Sequence, residues 1–292
     1  MARNRLDRHL QAAPFKRFGS IQRLGADRSG QASVEHVRHQ LYVGRDTRTR
    51  ANALIKMPTK PGLVYEHNLT NEAATLSTIN RELPDSRYFP LLWDHGRLAD
   101  GRVFVIMSLF DEWPLATTIG SDRVPHRLVA HLTASLEVAR ALSELHRIRV
   151  FHVDLNPMNI LYRVEQGRPV IRIVDFESSY EVARHSRGVA YNPPTTPAFC
   201  APEVLHGRPP DGRADVFSLG AVLYTMLSGY GWTWDAQLPA SIEADAGIDA
   251  DLRAILLTAV ERDVDRRYQS IKAMDTALAA YLDSIWPGRS WT

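Results

Sequence analysis

The sequence predicts an α+β chain of two unlike lobes, a small β-rich lobe with one main helix followed by a larger helical lobe. Three observations point there. Residues 21–110 break into short apolar runs of strand type. From residue 125 onward, apolar residues recur at helical spacing. The run "ADVFSLGAVLYTMLSG" (214–229) is apolar nearly all round, as a helix enclosed by a larger body would be. At 292 residues the chain is long enough for two such lobes.

The strands come first. "HQLYVGRD" (39–46) and "ANALIKM" (51–57) flank the polar turn "TRTR", and "RVFVIMSLF" (102–110) is a further β-type run. One helix interrupts them: "NLTNEAATLSTINREL" (68–83) sets Leu69, Ala73, Leu76 and Ile79 at helical spacing. The second lobe opens on "HRLVAHLTASLEVARALSELHRI" (126–148), striped by Leu128, Leu132, Leu136, Ala139 and Leu142. "ILYRV", a polar "EQGRP" turn and "VIRIV" (160–174) make a β-hairpin. "DLRAILLTAVERD" (251–263) and "IKAMDTALAAYLDSI" (271–285) are amphipathic helices. The expected division is an N-terminal extension (1–20), a first lobe (21–109), a second lobe (110–285) and a C-terminal tail (286–292). A cleft between two lobes is a usual place for a ligand.

Apolar residues at 45% and charged residues at 23% describe an ordinary soluble globule, and a net charge of +2 speaks against wholesale nucleic-acid binding. The single cysteine, Cys200, excludes an internal disulfide and a cysteine-based zinc cluster, and fits a reducing, cytoplasmic compartment. The first twenty residues hold no apolar core long enough for a secretory signal, and no run approaches the ~20 apolar residues of a membrane span. Lysine is scarce, at positions 16, 56, 60 and 272 only, so a lysine at a chemically suggestive position is informative.

The stretch "VFHVDLNPMNILYRV" (150–164) is apolar at both ends and polar between, with His152, Asp154, Asn156 and Asn159 on one short bridge. Buried polar groups need partners, so a site explains it; a turn rich in Asp, Asn and Pro explains it equally. The hairpin that follows delivers "DFE" at Asp175, so Asp154, Asn159 and Asp175 can converge at its ends. An amide and a carboxylate there supply the hard oxygen ligands that Mg²⁺ prefers, and Asp154 beside them could orient a hydroxyl.

In this order the motifs resemble the protein kinase signatures H-R-D-L-x-x-x-N, D-F-G and A-P-E, standing here as "HVDLNPMN" (152–159), "DFE" (175–177) and "APE" (201–203). "ALIK" matches the strand lysine at Lys56 and "NEAAT" its partner glutamate at Glu72. "TTPAFCAPE" resembles the substrate-docking loop of Ser/Thr kinases, and "DVDRRYQS" carries Arg267, which would pair with Glu203. The resemblance runs from about residue 21 to 282 and implies a bilobal protein-kinase-like fold using ATP and Mg²⁺ or Mn²⁺. It implies that Lys56 holds the α- and β-phosphates and is held by Glu72. Asp154 would accept or orient the substrate hydroxyl proton, and Asn159 and Asp175 would ligate the metal ions. Gly25 and Gly30 would line the phosphate loop, Met107 the rear of the adenine pocket, Leu109 the hinge, and Leu161 the floor. His152 and Phe176 would stack with Leu76 and Trp93, and Asp215 would organise the backbone of 152–153.

Several positions depart from the family. In "LGADRSGQASV" (24–34), Asp27 stands where a second glycine is expected, unless the "SGQASV" half alone follows the phosphates. Leu54 replaces the alanine that lies against adenine, and should narrow the pocket roof. Val153 replaces the arginine that receives an activation-loop phosphate, making this a non-RD type. Asn156 replaces the lysine that neutralises the γ-phosphate, a loss on the order of 10²–10³ in rate. Glu177 replaces the DFG glycine, as a further carboxylate near the metals or as the partner of a nearby arginine.

Two readings follow. One is an ATP- and metal-dependent kinase acting on Ser or Thr of a protein substrate, with no nucleic-acid or membrane partner. The other is a pseudokinase kept for nucleotide or partner binding, on the strength of the glycine loop, Leu54, Asn156 and Glu177. A small-molecule phosphotransferase is a third, and the "PAFCAPE" stretch argues against it.

Overall fold

The strand-type runs of the first hundred residues close into one antiparallel sheet. Strands β1 (Phe18–Arg23), β2 (His39–Asp46), β3 (Asn52–Pro58), β4 (Leu92–Arg97) and β5 (Val103–Ser108) pair in the order β1-β2-β3-β5-β4. The coordinates are those of a computed structural model, and they describe residues 14–24, 39–59, 63–119, 127–191, 197–229 and 237–287. Residues on alternate positions of a strand face opposite sides. Ala53, Ile55 and Met57 of β3 therefore share one face with Phe104 and Ile106 of β5, where Phe15, Phe18 and Tyr42 complete the core. Leu54 and Lys56 face the other way, towards helix α1 (Leu63–Glu82). The stripe Leu69, Ala73, Leu76 and Ile79 of α1 is buried as its spacing requires.

The chain divides into two compact units, residues 1–84 with 90–111, and residues 85–89 with 112–292. This division differs from the expected boundaries at three places. Residues 14–20 are not an extension: Phe15 is wholly buried, its ring 5.3 Å from Phe104, and β1 begins at Phe18. Asp85–Phe89 group with the second unit. There the Tyr88 hydroxyl donates to Glu137 (3.0 Å) and the Tyr88 carbonyl accepts from Ile173 (2.8 Å). The division falls after Asp111, two residues beyond the expected hinge boundary.

The second unit is built on helices α2 (Arg127–Arg147) and α5 (Gly212–Ser228), with α6 (Gln237–Ala244), α7 (Ala250–Ala259) and α8 (Ile271–Ile285) around them. Every residue of α5 from Ala214 to Met226 is buried, as its all-round apolarity predicts. Its polar members are satisfied inside: the Ser218 hydroxyl donates to Phe199 (2.7 Å) and that of Thr225 to Ala221 (2.7 Å). Caps set the helix starts. Asp211, Asp249 and Ser270 each accept a backbone N–H from the first turn of α5, α7 and α8. Helix α7 stops at Ala259, four residues short of the apolar run that predicts it. A short strand β6 (Trp113–Pro114) joins the hairpin β8 (Ile160–Glu165) and β9 (Arg168–Ile173). The hairpin turn is Gln166-Gly167, both at positive φ (51° and 78°), as a two-residue turn of this hand needs. Strand β7 (Val150–Phe151) pairs with β10 (Tyr180–Glu181), which leads into the one-turn helix α3 (Val182–His185); α4 (Pro202–Leu205) is as short. No helix among the described residues is long and apolar enough to cross a membrane.

Candidate active site

In the first unit β3 and α1 hold one buried ion pair. The Lys56 ammonium lies 3.0 Å from each Glu72 carboxylate oxygen, and Glu72 is wholly buried. Burying two charges is costly unless they meet, and here they do. Leu54 pairs across the sheet with Met107, so both stand on the Lys56 face. The Leu109 N–H donates to the Asn52 carbonyl (3.0 Å), continuing the β3–β5 register past the end of β5. Trp93 does not join the expected aromatic stack. It lies parallel to Phe18 at 6.2 Å, because β4 turns it to the outer face of the sheet. Gly25 and Gly30 lie outside the described residues.

In the second unit the bridge after β7 is both a turn and a polar cluster. The Asp154 carbonyl accepts from the side-chain amides of Asn156 (3.0 Å) and Asn159 (2.9 Å). The Asn156 oxygen in turn accepts from the Met158 N–H (2.9 Å). Asn156, only 4% exposed, thus braces the loop instead of standing as a truncated cation. The loop is pinned to the hairpin, since the Val174 N–H donates to the Asn159 carbonyl (3.0 Å). Asn159 and Asp175 therefore sit at the root of one hairpin, one residue before β8 and two after β9. Asp154 is buried and Asp175 half-buried, while Leu161 on β8 is half-buried opposite Arg172.

Asp215, buried at the start of α5, organises this cluster. Its carboxylate accepts from the N–H groups of His152 (2.9 Å) and Val153 (2.7 Å) and from His146 Nε2 (2.8 Å). Burial pushes the Asp215 carboxyl up, yet the His146 contact and the other donors hold it below the usual carboxylate range. The His152 ring donates through Nε2 to the Val174 carbonyl (3.1 Å), and burial lowers its pKa, so it stays neutral. It meets Phe176 edge-on at 5.1 Å, and Phe89 meets Phe176 at 5.9 Å in the place expected of Trp93. Two residues here take the left-handed backbone, Val153 (φ 68°) and Asp175 (φ 69°). Such conformations cost free energy in non-glycine residues and cluster at functional sites.

Further along, Arg267 meets Glu203 in two parallel contacts of 2.8 and 3.0 Å, as the motif order implies. The arginine also donates to the carbonyls of Arg213 (2.7 Å) and Glu261 (3.0 Å). Glu177, Ser178 and Ser179 are buried, and the Ser179 hydroxyl donates to the Phe176 carbonyl (2.7 Å). Thr195 and Thr196 lie outside the described residues. Sequence reasoning missed His146, although it continues the buried stripe of α2 four residues past Leu142. A polar side chain at such a position needs a partner, and Asp215 supplies it. It also missed Phe89, which carries no periodic signal.

The family profile described as "Protein kinase domain" matches residues 97–277. Ribosomal protein S6 kinase alpha-2 of Mus musculus is 46% identical over 94 residues, 32% of this chain and 13% of that protein. Serine/threonine-protein kinase Pkn1 of Myxococcus xanthus is 30% identical over 198 residues, 62% of this chain and 28% of that protein. Serine/threonine-protein kinase D3 of Mus musculus is 28% identical over 219 residues, 73% of this chain and 23% of that protein. The chain thus spans between 13% and 28% of the length of these relatives.

Proposed function

Since the chain belongs to the protein kinase domain family, we propose that it transfers the γ-phosphate of ATP to a serine or threonine hydroxyl of a protein substrate, with Mg²⁺ or Mn²⁺ as the metal. The observation that carries this reading is the root of the β8–β9 hairpin, where Asn159 and Asp175 flank one backbone hydrogen bond and Asp154 grips Asn159. The donor set fits a hard divalent cation. The Asn159 nitrogen is committed to the Asp154 carbonyl, which leaves the amide oxygen to the metal, with the Asp175 carboxylate as its companion. When bound, the metal neutralises charge on the phosphates.

The chain's own residues do the rest. Lys56, fixed by Glu72, holds the α- and β-phosphates. Asp154 orients the acceptor hydroxyl and takes its proton as the new O–P bond forms and the bond to the β-phosphate oxygen breaks, leaving ADP. Met107, Leu109 and Leu161 serve the base. Val153 is apolar and buried, so transfer is not gated by a phosphate received at that position, in keeping with a non-RD type. The single cysteine supports a cytoplasmic setting.

The test is transfer of radiolabelled phosphate from ATP, under Mg²⁺ or Mn²⁺, to the protein itself and to generic protein substrates. Asp154→Asn keeps the shape and removes the proton acceptor, so kcat should fall by at least ~10² with ATP affinity little changed. Wild type no better than Asp154→Asn under either metal, with ATP still bound, would favour the pseudokinase reading. Asn156, whose position holds a loop brace in place of a cation, is the observation on that side.

A further inference from the structure

Between Asp175 and the docking stretch the chain must be held close to the catalytic loop, and the receiver for a phosphate is absent at Val153. We propose that four rings, Phe151, Tyr180, His185 and Tyr191, form a clasp that holds the segment after Asp175 against β7 without any modification. Tyr180, His185 and Tyr191 are thereby positioning residues for transfer, a role that rests on the kinase reading above; the clasp as a structural lock does not.

The backbone contact alone is slight. Strand β10 pairs with β7 through Tyr180↔Phe151 and Glu181↔Val150, and the Val182 N–H adds one bond to the Arg149 carbonyl (3.1 Å). Two-stranded ladders of this size are marginal by themselves. The rings supply what the ladder lacks. Tyr180 lies parallel to Phe151 (6.5 Å, 7°) and to His185 (4.5 Å, 17°). Tyr191 then meets Tyr180 (5.4 Å, 79°) and His185 (5.8 Å, 87°) edge-on. Offset-parallel and edge-on rings at these separations attract beyond the area they bury. The arrangement lays Tyr180 on the Phe151 ring of β7 and gathers His185 and Tyr191 about Tyr180, and so folds the whole stretch back on itself.

Two links connect the clasp to the chemistry. Phe151 is followed directly by His152–Asp154, and its ring meets at a steep angle (5.4 Å, 78°) that of His146, which is bonded to Asp215. Upstream of Tyr180, Ser179 ties back to the Phe176 carbonyl through both its N–H and its hydroxyl, so slack in the segment reaches Asp175 within a few residues. Asp175 keeps a left-handed backbone that persists only where its surroundings over-determine it. Burial, then the neighbouring Cys200 and Asp154, raise the Tyr191 phenol far above its ordinary value, so its ring stays neutral in the clasp.

The test uses the full chain and two readouts, hydrogen exchange over 178–191 without nucleotide and the Mg²⁺ concentration at half-maximal transfer. Tyr180→Ala and His185→Ala should speed exchange there at least about tenfold, as for local opening, and raise the Mg²⁺ requirement severalfold. Tyr180→Phe and Tyr191→Phe keep the rings and should match wild type in both. Phosphatase treatment should leave wild type unchanged in both. Should an alanine variant fail to fold, Tyr180→Leu, apolar but not aromatic, takes its place with the same expectation. Unchanged exchange in the variants lacking a ring would overturn the clasp, as would phenylalanine variants as loose as the alanine ones. If wild type transfers no phosphate at all, the exchange readout still decides the clasp while the kinase reading falls.

Discussion

Val153 is a β-branched residue with a left-handed backbone, and two hydrogen bonds to Asp215 keep it there. For an L-residue that conformation costs about 1–2 kcal/mol. Val150, three residues earlier and equally buried, is ordinary extended strand. Changing a buried valine to glycine loses about 1.5–3 kcal/mol of burial and a further ~0.5–1 kcal/mol of chain entropy. At 153 the relieved strain offsets part of that. Val153→Gly should therefore destabilise by at least ~1 kcal/mol less than Val150→Gly in urea unfolding; equal costs would mean that the backbone at 153 is unstrained. This strain was not legible in the sequence. "HVD" reads as one motif among several, and nothing in residue type announces a left-handed valine. The same limit applies at Asn156. A motif comparison sees a lysine lost, whereas the fold uses the asparagine amide to close the turn.

At the scale of elements, the sequence was most legible where one face repeats. The stripe of α1, that of α2 from Leu132 to Leu142 and the all-apolar α5 are buried as their spacing demands, because periodic burial is the main thing that fixes a helix in a body. It was least legible where single side chains decide. Phe15 and Phe18 belong to no period, yet they close the outer face of the first sheet, and β4, with Asp94, His95 and Arg97, is too polar to read as a strand. Where α5 passes α7, close approach depends on one hydrogen atom. A Cβ on Gly220 would lie 2.8 Å from the Ala259 Cβ and 3.0 Å from Val260 Cγ1. Alanine gains about 1 kcal/mol of helix propensity over glycine, while overpacking a rigid contact costs about 1–3 kcal/mol. Neither neighbour is the end of a flexible side chain, so the clash should win. Gly220→Ala should lower the melting temperature, and adding Ala259→Gly should recover part of it. A stabilised Gly220→Ala would show that the two helices can part at little cost.

At the scale of the whole molecule, the proposed function draws on both units, Lys56 in the first and Asp175 in the second. Mg-ATP should raise the melting temperature of wild type, since a ligand stabilises by RT ln(1 + [L]/Kd) and millimolar nucleotide registers if Kd is ~10 µM or tighter. The rise should vanish in Lys56→Met and in Asp175→Ala alike. The first variant needs its own baseline, because removing the ammonium breaks a buried ion pair, at about 3–5 kcal/mol. Equal rises in all three proteins would put the nucleotide elsewhere. The order of motifs along the chain was enough to propose both halves of this machinery. What it could not supply was the lock between Tyr180 and Tyr191, whose members are scattered aromatics with no fixed spacing.

The Glu203–Arg267 pair has a consequence for descent. The arginine side chain is wholly buried and meets the Glu203 carboxylate in two direct contacts. Glu203→Gln alone should cost about 3–5 kcal/mol by stranding the guanidinium, a large share of the ~5–15 kcal/mol that holds a typical domain together. Replacing both by apolar residues of similar volume should cost markedly less than the two single changes added, which a double-mutant cycle in urea would measure. Additive costs would mean that the pair is not coupled. If they are coupled, a lineage cannot leave this arrangement one substitution at a time, since each single step crosses a valley that the double step avoids. Two positions 64 residues apart would then be inherited as a single character.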